Sequence, residues 1–279
     1  MPMTSVHDLQ AAAEVIQAAD GLLITAGAGM GVDSGLPDFR GSDGFWKAYP
    51  ALKDSGLQFQ DMANPQAFER DARQAWGFYG HRLSLYRDTH PHAGFHVLKR
   101  WSDAKPQGGF VFTSNVDGQF QRAGFASKQV YECHGSIHRL QCTTPCQPST
   151  WSADALQPDI DTQRCRWLND LPGCPDCHAL ARPNILMFAD WNWVDSHRHH
   201  NDSALEVFLA ACRQMVVIEL GAGTEVATVR HFSERIARDY QAPLVRINPR
   251  EAHSDVGDSF SIAMGAQEAL HAMDELLHS

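Results

Sequence analysis

The chain has no apolar stretch close to the roughly eighteen residues that a membrane-spanning helix requires, so no span is predicted. Basic residues are also few, because 23 Lys and Arg stand against 33 Asp and Glu and leave a formal charge of −10. A surface of that sign argues against nucleic-acid binding and suits a basic peptide. The amino-terminal residues lack the basic-then-apolar order of a signal peptide, and we expect a cytoplasmic protein.

Seven cysteines are an odd number for a chain of this size, and a disulfide framework is not expected. Five of them share one stretch of the chain with five prolines and little hydrophobic periodicity. There, Cys142 and Cys146 enclose three residues, and Cys174 and Cys177 enclose two. Two such pairs can supply four thiolates to a tetrahedral zinc ion, which would be structural because no coordination position stays open. Cys165 lies between the pairs and could replace one ligand or be a free thiol.

Apolar runs typical of buried strands alternate with helical patterns along most of the chain. The predicted strands are Leu22–Thr25, Gly109–Thr113, Val130–Cys133, Met215–Leu220 and Pro243–Asn248, with helical patterns at 69–101, 228–240 and 265–277. This alternation indicates an α/β fold with a doubly wound, Rossmann-like parallel sheet. We predict that residues 1–140 and 183–279 form this NAD-binding type of domain and that residues 141–182 are inserted as a small zinc-binding domain. A helical part of the small domain is expected from about 45–90.

A glycine turn follows the first predicted strand. Gly27 and Gly29 bracket Ala28, and a side chain at either glycine would hinder the approach of a phosphate to the backbone N–H groups. An ordinary tight turn from strand to helix favours glycine equally well. The string at 38–40 is rarer, because no helix or strand needs an acid, an aromatic ring and a guanidinium side by side. It suits a loop that closes over a bound nucleotide.

This segment resembles the cofactor-binding signature of the sirtuins, the NAD-dependent protein deacylases, which runs G-A-G-x-S-x-x-S-G-I-P-D-F-R. The matching residues are Gly27, Ala28, Gly29, Ser34, Gly35, Pro37, Asp38, Phe39 and Arg40. Gly31 departs, since the family usually has serine there. Further matches extend from about Gly21 to Gly265, so the resemblance covers nearly the whole chain. It implies that the glycine turn and the three residues at 38–40 bind NAD.

His134 lies at the end of the predicted strand Val130–Cys133. Open α/β sheets hold their sites at the carboxyl ends of strands, and an imidazole there can take a proton at neutral pH. Without such a context, any one of the fifteen histidines would be expected to have a surface or core role. Glu132, His134 and Gly135 match the sirtuin pattern E-x-H-G. The match implies that His134 is the general base, which draws a proton from a ribose hydroxyl of NAD after the acyl oxygen has displaced nicotinamide.

Asn115 and Asp117 follow another predicted strand, at a place where an ordinary turn would also use these residue types. The segment from Thr113 to Asp117 resembles the sirtuin string T-Q-N-I-D. The resemblance implies that Asn115 contacts the ribose at the catalytic centre and that Asp117 helps to hold the nicotinamide carboxamide. Ser114 stands where the family has a glutamine that reaches the ribose, so a long amide is missing there.

Glycines and an asparagine follow the last two predicted strands. The sirtuin patterns at these positions are G-T-S and I-N-x-E, which Gly221 and Asn248 match. The resemblance implies that Gly221 and Gly223 let the cofactor approach the backbone and that Asn248 binds the adenine ribose. Gly223 lacks the hydroxyl of the family's serine, which Thr224 could supply. Ala266 sits where sirtuins contact adenine.

The segment Arg182–Asp190 resembles the sirtuin string R-P-x-V-V-x-F-G-E, a strand that pairs with the backbone of the substrate peptide. The resemblance implies that Ile185, Met187 and Phe188 contact the substrate. Alanine and aspartate replace the family's final glycine and glutamate.

Tyr79 and Arg82 lie at positions i and i+3 of a predicted helix and therefore share a face. An ordinary amphipathic helix with an aromatic core stripe and a solvated arginine would look the same. The sirtuin branch that removes succinyl and malonyl groups carries a Tyr-x-x-Arg string that binds the acyl carboxylate. A planar guanidinium suits that ligand, so the resemblance implies an acidic acyl group as one candidate substrate.

We therefore predict an enzyme, an NAD-dependent protein lysine deacylase that acts on an acylated protein or peptide and produces nicotinamide and O-acyl-ADP-ribose. An NAD glycohydrolase or ADP-ribosyltransferase would use the same pocket, and a non-catalytic module that senses NAD or ADP-ribose is a third alternative. His134 counts against the last of these, because a protein that only binds has little use for a base. A plain dehydrogenase would have no use for the zinc cluster.

Overall fold

A six-stranded parallel sheet organises the computed structural model, which describes residues 5–37, 49–54 and 56–278. The strands are β1 (Gly21–Ala26), β2 (Gly109–Thr113), β3 (Val130–Glu132), β4 (Gly135–Cys142), β5 (Trp151–Ser152), β6 (Ile160–Asp161), β7 (Arg166–Trp167), β8 (Ala181–Ile185), β9 (Met215–Leu220), β10 (Leu244–Ile247) and β11 (Ser259–Ile262). The helices are α1 (Val6–Ala18), α2 (Pro50–Asp54), α3 (Phe59–Met62), α4 (Gln66–Arg70), α5 (Ala72–Asp88), α6 (Ala93–Ala104), α7 (Gln119–Arg122), α8 (Arg198–Ala211), α9 (Thr228–Asp239) and α10 (Ala266–His278). None of these helices is long and apolar enough to cross a membrane.

The strand order of the large sheet is β11-β10-β9-β1-β2-β3, and every neighbouring pair is parallel. The chain runs outward from β1 to β3, returns to β9 on the other side of β1, and then runs outward again to β11. Ala26 at the end of β1 lies beside both Thr113 and Leu220. The loops after β1 and β9 therefore face each other across a topological switch point, where open α/β sheets bind ligands. The predicted α/β fold is confirmed.

Helices cover both faces of this sheet, and β1, β2 and β9 are consequently buried along their whole length. On one face, α1, α6 and α10 pack in a single apolar cluster, and α8 and α9 cover the other. The buried face of α1 consists of the apolar positions spaced at three and four residues, namely Leu9, Ala12, Ala13 and Ile16. That helix begins at Ser5, whose hydroxyl accepts the Asp8 N–H while the Asp8 carboxylate accepts the Ser5 N–H.

The helical pattern at 69–101 is divided among three helices rather than one. Asp71 has an extended backbone, with φ at −154°, and its carboxylate accepts the Gln74 N–H at 3.0 Å, so a new helix starts there. Pro91 lacks an N–H and separates α5 from α6, which begins at His92. The hydrophobic spacing predicts one continuous helical segment, whereas the caps at Asp71 and His92 divide it into separate helices.

A second, smaller lobe is built around β4, which pairs antiparallel with both β5 and β8. Its core is separate from those of the large sheet and joins α5 to β4, β6 and β7. A side chain at Gly77 would overlap the backbone of Cys165, and one at Gly80 would overlap the ring of Trp167, so both glycines let α5 approach the lobe closely. β4 and β8 extend across the boundaries at 140/141 and 182/183, which remain a prediction about domain division.

Candidate active site

Two neighbouring clefts lie at the carboxyl edge of the large sheet, and they share Ala28 and Val226. The first has a volume of about 260 Å³ and brings together the predicted residues Ala28, Tyr79, Arg82, Ser114, Asn115, Asp117, His134, Ile185, Met187 and Phe188. The second has a volume of about 670 Å³ and contains the predicted residues Ala28, Gly29, Gly221, Gly223, Asn248 and Ala266. The predicted Asp38, Phe39 and Arg40 lie outside the described residues.

The glycine turn after β1 contacts the loop after β9 so closely that side chains would not fit there. A side chain at Gly27 would come within 2.7 Å of the Gly221 carbonyl oxygen, and one at Gly29 within 2.7 Å of the Gly221 Cα. Gly29 also donates its N–H to that carbonyl at 3.0 Å, and Gly221 itself has φ at +58°. The structure therefore gives these glycines a further reason: they let the loops after β1 and β9 touch, while the approach of a phosphate to their backbone stays a prediction.

Two predicted asparagines hold the same loops in place. Asn115 donates its side-chain amide to the Gly27 carbonyl at 2.9 Å. Asn248 donates to the Ala222 carbonyl at 3.0 Å, and its Oδ1 accepts the N–H groups of Arg250 and Glu251, each at 2.9 Å. Hydrogen bonds from two buried side-chain amides therefore stabilise the loops that form the walls of both clefts.

Ser114 gives the first cleft an unmet hydrogen-bonding group. Its side chain is 4% exposed, and its hydroxyl has no hydrogen-bond partner among the residues that the structure describes. A buried polar atom without a partner is costly, so a polar ligand at this point would be stabilising. The donor and acceptor groups of the cleft therefore fit the ribose and amide groups of NAD.

Buried carboxyl groups surround the end of β3. Burial raises the pKa of Asp117 to about 6, although its carboxylate accepts the Gln119 N–H at 2.9 Å. Burial and the nearby Asp117 raise the pKa of Glu132 to about 8, so Glu132 is mostly protonated at neutral pH. His134 follows directly on β3, and its carbonyl accepts the Leu186 N–H at 2.9 Å. This bond places the imidazole-bearing turn against the predicted substrate strand.

The far end of the first cleft carries an arginine among aromatic rings. Tyr79 is fully buried, its hydroxyl has no hydrogen-bond partner among the described residues, and burial raises its pKa. Arg82 is 7% exposed, and its Cζ lies between 5.3 and 5.9 Å from the ring centroids of Phe59, Phe78, Tyr79 and Tyr86. The solvated arginine of an ordinary amphipathic helix is thereby excluded. Tyr86 was not among the predicted residues, although its position four residues after Arg82 is the signal that could have found it.

The predicted substrate strand ends in a tight turn. Asp190 accepts from Arg182 at 2.8 Å in an ion pair whose side chains are 0% and 1% exposed, and it also accepts the Met187 N–H at 3.3 Å. The aspartate that replaces the family's glutamate therefore has a fixed structural role. Ala189 has φ at +53°, a left-handed conformation that favours glycine.

We expect Ala189→Gly to raise the free energy of unfolding by roughly 0.5 kcal/mol, because relief of left-handed strain exceeds the entropy that glycine adds to the unfolded chain. Equilibrium denaturation in urea measures this. Ala126→Gly is the matched control, since Ala126 is exposed and has an ordinary φ of −66°. That control should lower the stability, and an equal loss in both variants would contradict the prediction.

Four cysteines form the one cluster of potential metal ligands found among the described residues. The sulfur atoms of Cys142, Cys146, Cys174 and Cys177 all lie within 4.8 Å of one another, with 3.6 Å between Cys142 and Cys177 and between Cys146 and Cys174. Tetrahedral zinc with Zn–S bonds of about 2.3 Å separates its sulfurs by about 3.8 Å, so the donor set fits zinc. Cys165 is not in the cluster: it is buried in the core of the small lobe.

A family model described as the Sir2 family matches residues 27–227 of this chain. The match covers more than half of the sequence and includes all the residues of the first cleft, part of the second cleft and the cysteine cluster. The protein therefore belongs to the Sir2 family.

Relatives and solved structures agree with that assignment. The chain is 34% identical over 169 residues to an NAD-dependent protein deacylase of Pyrococcus furiosus, in an alignment that covers 59% of each chain. It is 31% identical over 235 residues to an NAD-dependent protein deacylase of Aeropyrum pernix, with 83% of this chain and 82% of the relative covered. A crystal structure of a Sir2 homologue in complex with NAD is 25% identical, has a TM-score of 0.71, and is matched over 100% of this chain and 95% of the homologue.

Proposed function

We infer that this chain is an NAD-dependent protein deacylase. The observation that carries this inference is the convergence of His134, Asn115 and Asp117 with the substrate strand in one cleft, which adjoins a second cleft of nucleotide size. Relatives named NAD-dependent protein deacylases, and a homologue that binds NAD, support it. Zinc has a structural part only, because four thiolates complete its coordination.

NAD, when bound, supplies a ribose carbon that the acyl oxygen of the substrate can attack as nicotinamide leaves. We propose that the His134 imidazole takes a proton from a ribose hydroxyl and so acts as general base. Asn115, held by Gly27, orients the ribose, and Asp117 holds the carboxamide. At neutral pH, with its pKa at about 6, Asp117 is mostly a carboxylate, which can accept an N–H of the carboxamide.

The second cleft takes the adenosine half of NAD. Its wall carries Asp33 and Glu251 in addition to the predicted Gly221, Gly223 and Asn248. Glu251 accepts from the Thr224 hydroxyl at 2.7 Å, which fixes its carboxylate at the cleft. Carboxylates accept hydrogen bonds from ribose hydroxyls, so both side chains suit the ribose of the adenosine half.

The substrate is an acylated protein or peptide, which we expect to bind along the segment that follows β8. Ile185 and Met187 are buried against the cleft, whereas Leu186 and Phe188 are 38% and 40% exposed. The side chains of Leu186 and Phe188 are thus the ones available for contact with a peptide at the surface. The cytoplasmic location and the absence of nucleic-acid binding stay predictions.

Mass spectrometry of acyl-lysine peptides incubated with the protein and NAD tests the function. Acyl-dependent release of nicotinamide together with O-acyl-ADP-ribose is expected. The same assay without peptide is the control, and rapid release of nicotinamide from NAD alone would favour an NAD glycohydrolase instead.

The acyl group that we propose is an acidic one, and Arg82→Met tests this. Wild-type protein should favour succinyl- or malonyl-lysine over acetyl-lysine, because a buried charge-assisted contact contributes roughly 1.5–3 kcal/mol, or about 10–150-fold in discrimination. The variant keeps the bulk, loses the charge and should reverse the order. Arg70→Met, at an exposed position on α4, is the matched control and should keep it. Equal acetyl and succinyl activity in both proteins would contradict the assignment.

A further inference from the structure

We propose that Tyr86 is a positioning residue that sets the plane of the Arg82 guanidinium for a carboxylate on the acyl group. The inference rests on the proposed deacylase function and concerns the far end of the same cleft. Tyr86 lies one helical turn after Arg82 on α5, so the two side chains share a face of the helix. Both residues line the first cleft.

The hydroxyl oxygen of Tyr86 accepts two hydrogen bonds from one guanidinium. Nη2 of Arg82 donates at 2.7 Å and Nε donates at 3.1 Å, both within the normal range for such bonds. Two donors from the same edge of a planar group, meeting at one oxygen, prevent rotation about the last bonds of the arginine side chain. The tyrosine therefore determines which edge of the guanidinium faces the acyl group.

The surroundings make this arrangement rigid. Tyr86 is 5% exposed, and the arginine is enclosed by the rings of Phe59, Phe78 and Tyr79. A hydrogen bond to a charged group is strong where water is excluded, and the aromatic faces leave the cation little room to move. A carboxylate at this end then meets a guanidinium of fixed orientation, with the Tyr79 hydroxyl as a second donor.

Phenylalanine at position 86 would fill almost the same volume and preserve the ring packing, so only the contribution of the hydroxyl is removed. A neutral acyl group needs no fixed guanidinium, whereas a carboxylate requires it in one orientation. The hydroxyl should therefore affect discrimination between an anionic and a neutral acyl group of equal chain length. Succinyl-lysine and butyryl-lysine, each with four acyl carbons, are such a pair.

The experiment measures kcat and KM of the full chain with NAD and either peptide. Tyr86→Phe should lower the ratio of kcat/KM for succinyl-lysine over butyryl-lysine about tenfold, with the loss mainly in KM for the succinyl peptide. The control is Tyr131→Phe. Tyr131 lies outside the cleft, where its hydroxyl donates to the Asp202 carboxylate at 2.9 Å, so the ratio for this variant should equal that of the wild type. Thermal unfolding of each variant establishes that it is folded.

A double-mutant cycle separates positioning from packing. In an Arg82→Met background, Tyr86→Phe should no longer change the ratio, because the residue through which it acts is gone. An unchanged or higher ratio in Tyr86→Phe alone would overturn the inference, since the hydroxyl would then be idle or would compete with the ligand for Arg82. A succinyl preference abolished by Arg82→Met but insensitive to Tyr86→Phe rejects only the role of Tyr86. Nicotinamide release without deacylation of either peptide rejects the proposed function as well.

Discussion

His134→Ala is expected to lower NAD-dependent deacylation by about 10²–10⁴-fold, the range typical for loss of a general base. His134 follows β3 and lines the first cleft together with the predicted substrate segment. As the proposed general base it takes a proton and is not the main anchor of the nucleotide, whose adenosine half we place in the second cleft. Binding of NAD, measured by calorimetry, should therefore persist while acyl-dependent turnover falls.

His271→Ala is the matched control for that variant. His271 lies on the exposed side of α10, where its ring is 68% exposed and pairs with Glu275. Its loss should leave turnover unchanged, because exposed ion pairs contribute little. A folded His134→Ala protein that deacylates at nearly the wild-type rate would remove His134 from the role of base.

Cys174→Ala is expected to release the metal and unfold the small lobe. The purified wild-type chain should contain one zinc ion, because the four sulfur atoms already have the spacing of a tetrahedral site. Structural zinc in small domains contributes roughly 10–16 kcal/mol of apparent binding free energy at neutral pH, and three strands of this lobe are only two residues long. Elemental analysis and thermal unfolding measure the two effects.

Cys212→Ala separates loss of zinc from loss of any thiol. Cys212 follows α8 and lies outside the four-sulfur cluster, so this variant should keep its zinc and most of its stability. Loss of activity in Cys174→Ala should parallel loss of folded protein rather than occur in a folded enzyme. An active wild-type preparation without zinc would contradict the assignment of the cluster.

Local sequence patterns were sufficient for the central strands of the sheet. Leu22–Thr25 and Met215–Leu220 were predicted as strands because they are mostly apolar and glycines follow them, and both lie within or coincide with buried parallel strands. β11 was not predicted, since Ser259 and Ser261 alternate with apolar residues at the open edge of the sheet and give only a weak signal. Burial on two faces is visible in a sequence, whereas a half-exposed edge strand resembles a loop.

The zinc ligands were also accessible from the sequence, because the spacing within each cysteine pair is a local property of the chain. The exclusion of Cys165 was not, since only the packing of α5 against the lobe, through Gly77, buries that thiol away from the other four. The packing role of Gly27 and Gly29 was not accessible either, for the same reason. They contact Gly221, which is about 190 positions away in the chain, and a local sequence pattern cannot predict a contact of that separation.

The sequence by itself determined the family, the order of the elements and the residue types at the site, because each depends on neighbours within a few positions. Only the tertiary structure decided that Arg82 lies inside the cleft that His134 lines, rather than on a solvated helix face. Helical spacing places Tyr79, Arg82 and Tyr86 on one side of α5, but it does not say what that side faces. What that side faces depends on the packing of α5 against elements far away in the chain, because this packing determines both the burial and the hydrogen bonds of its side chains.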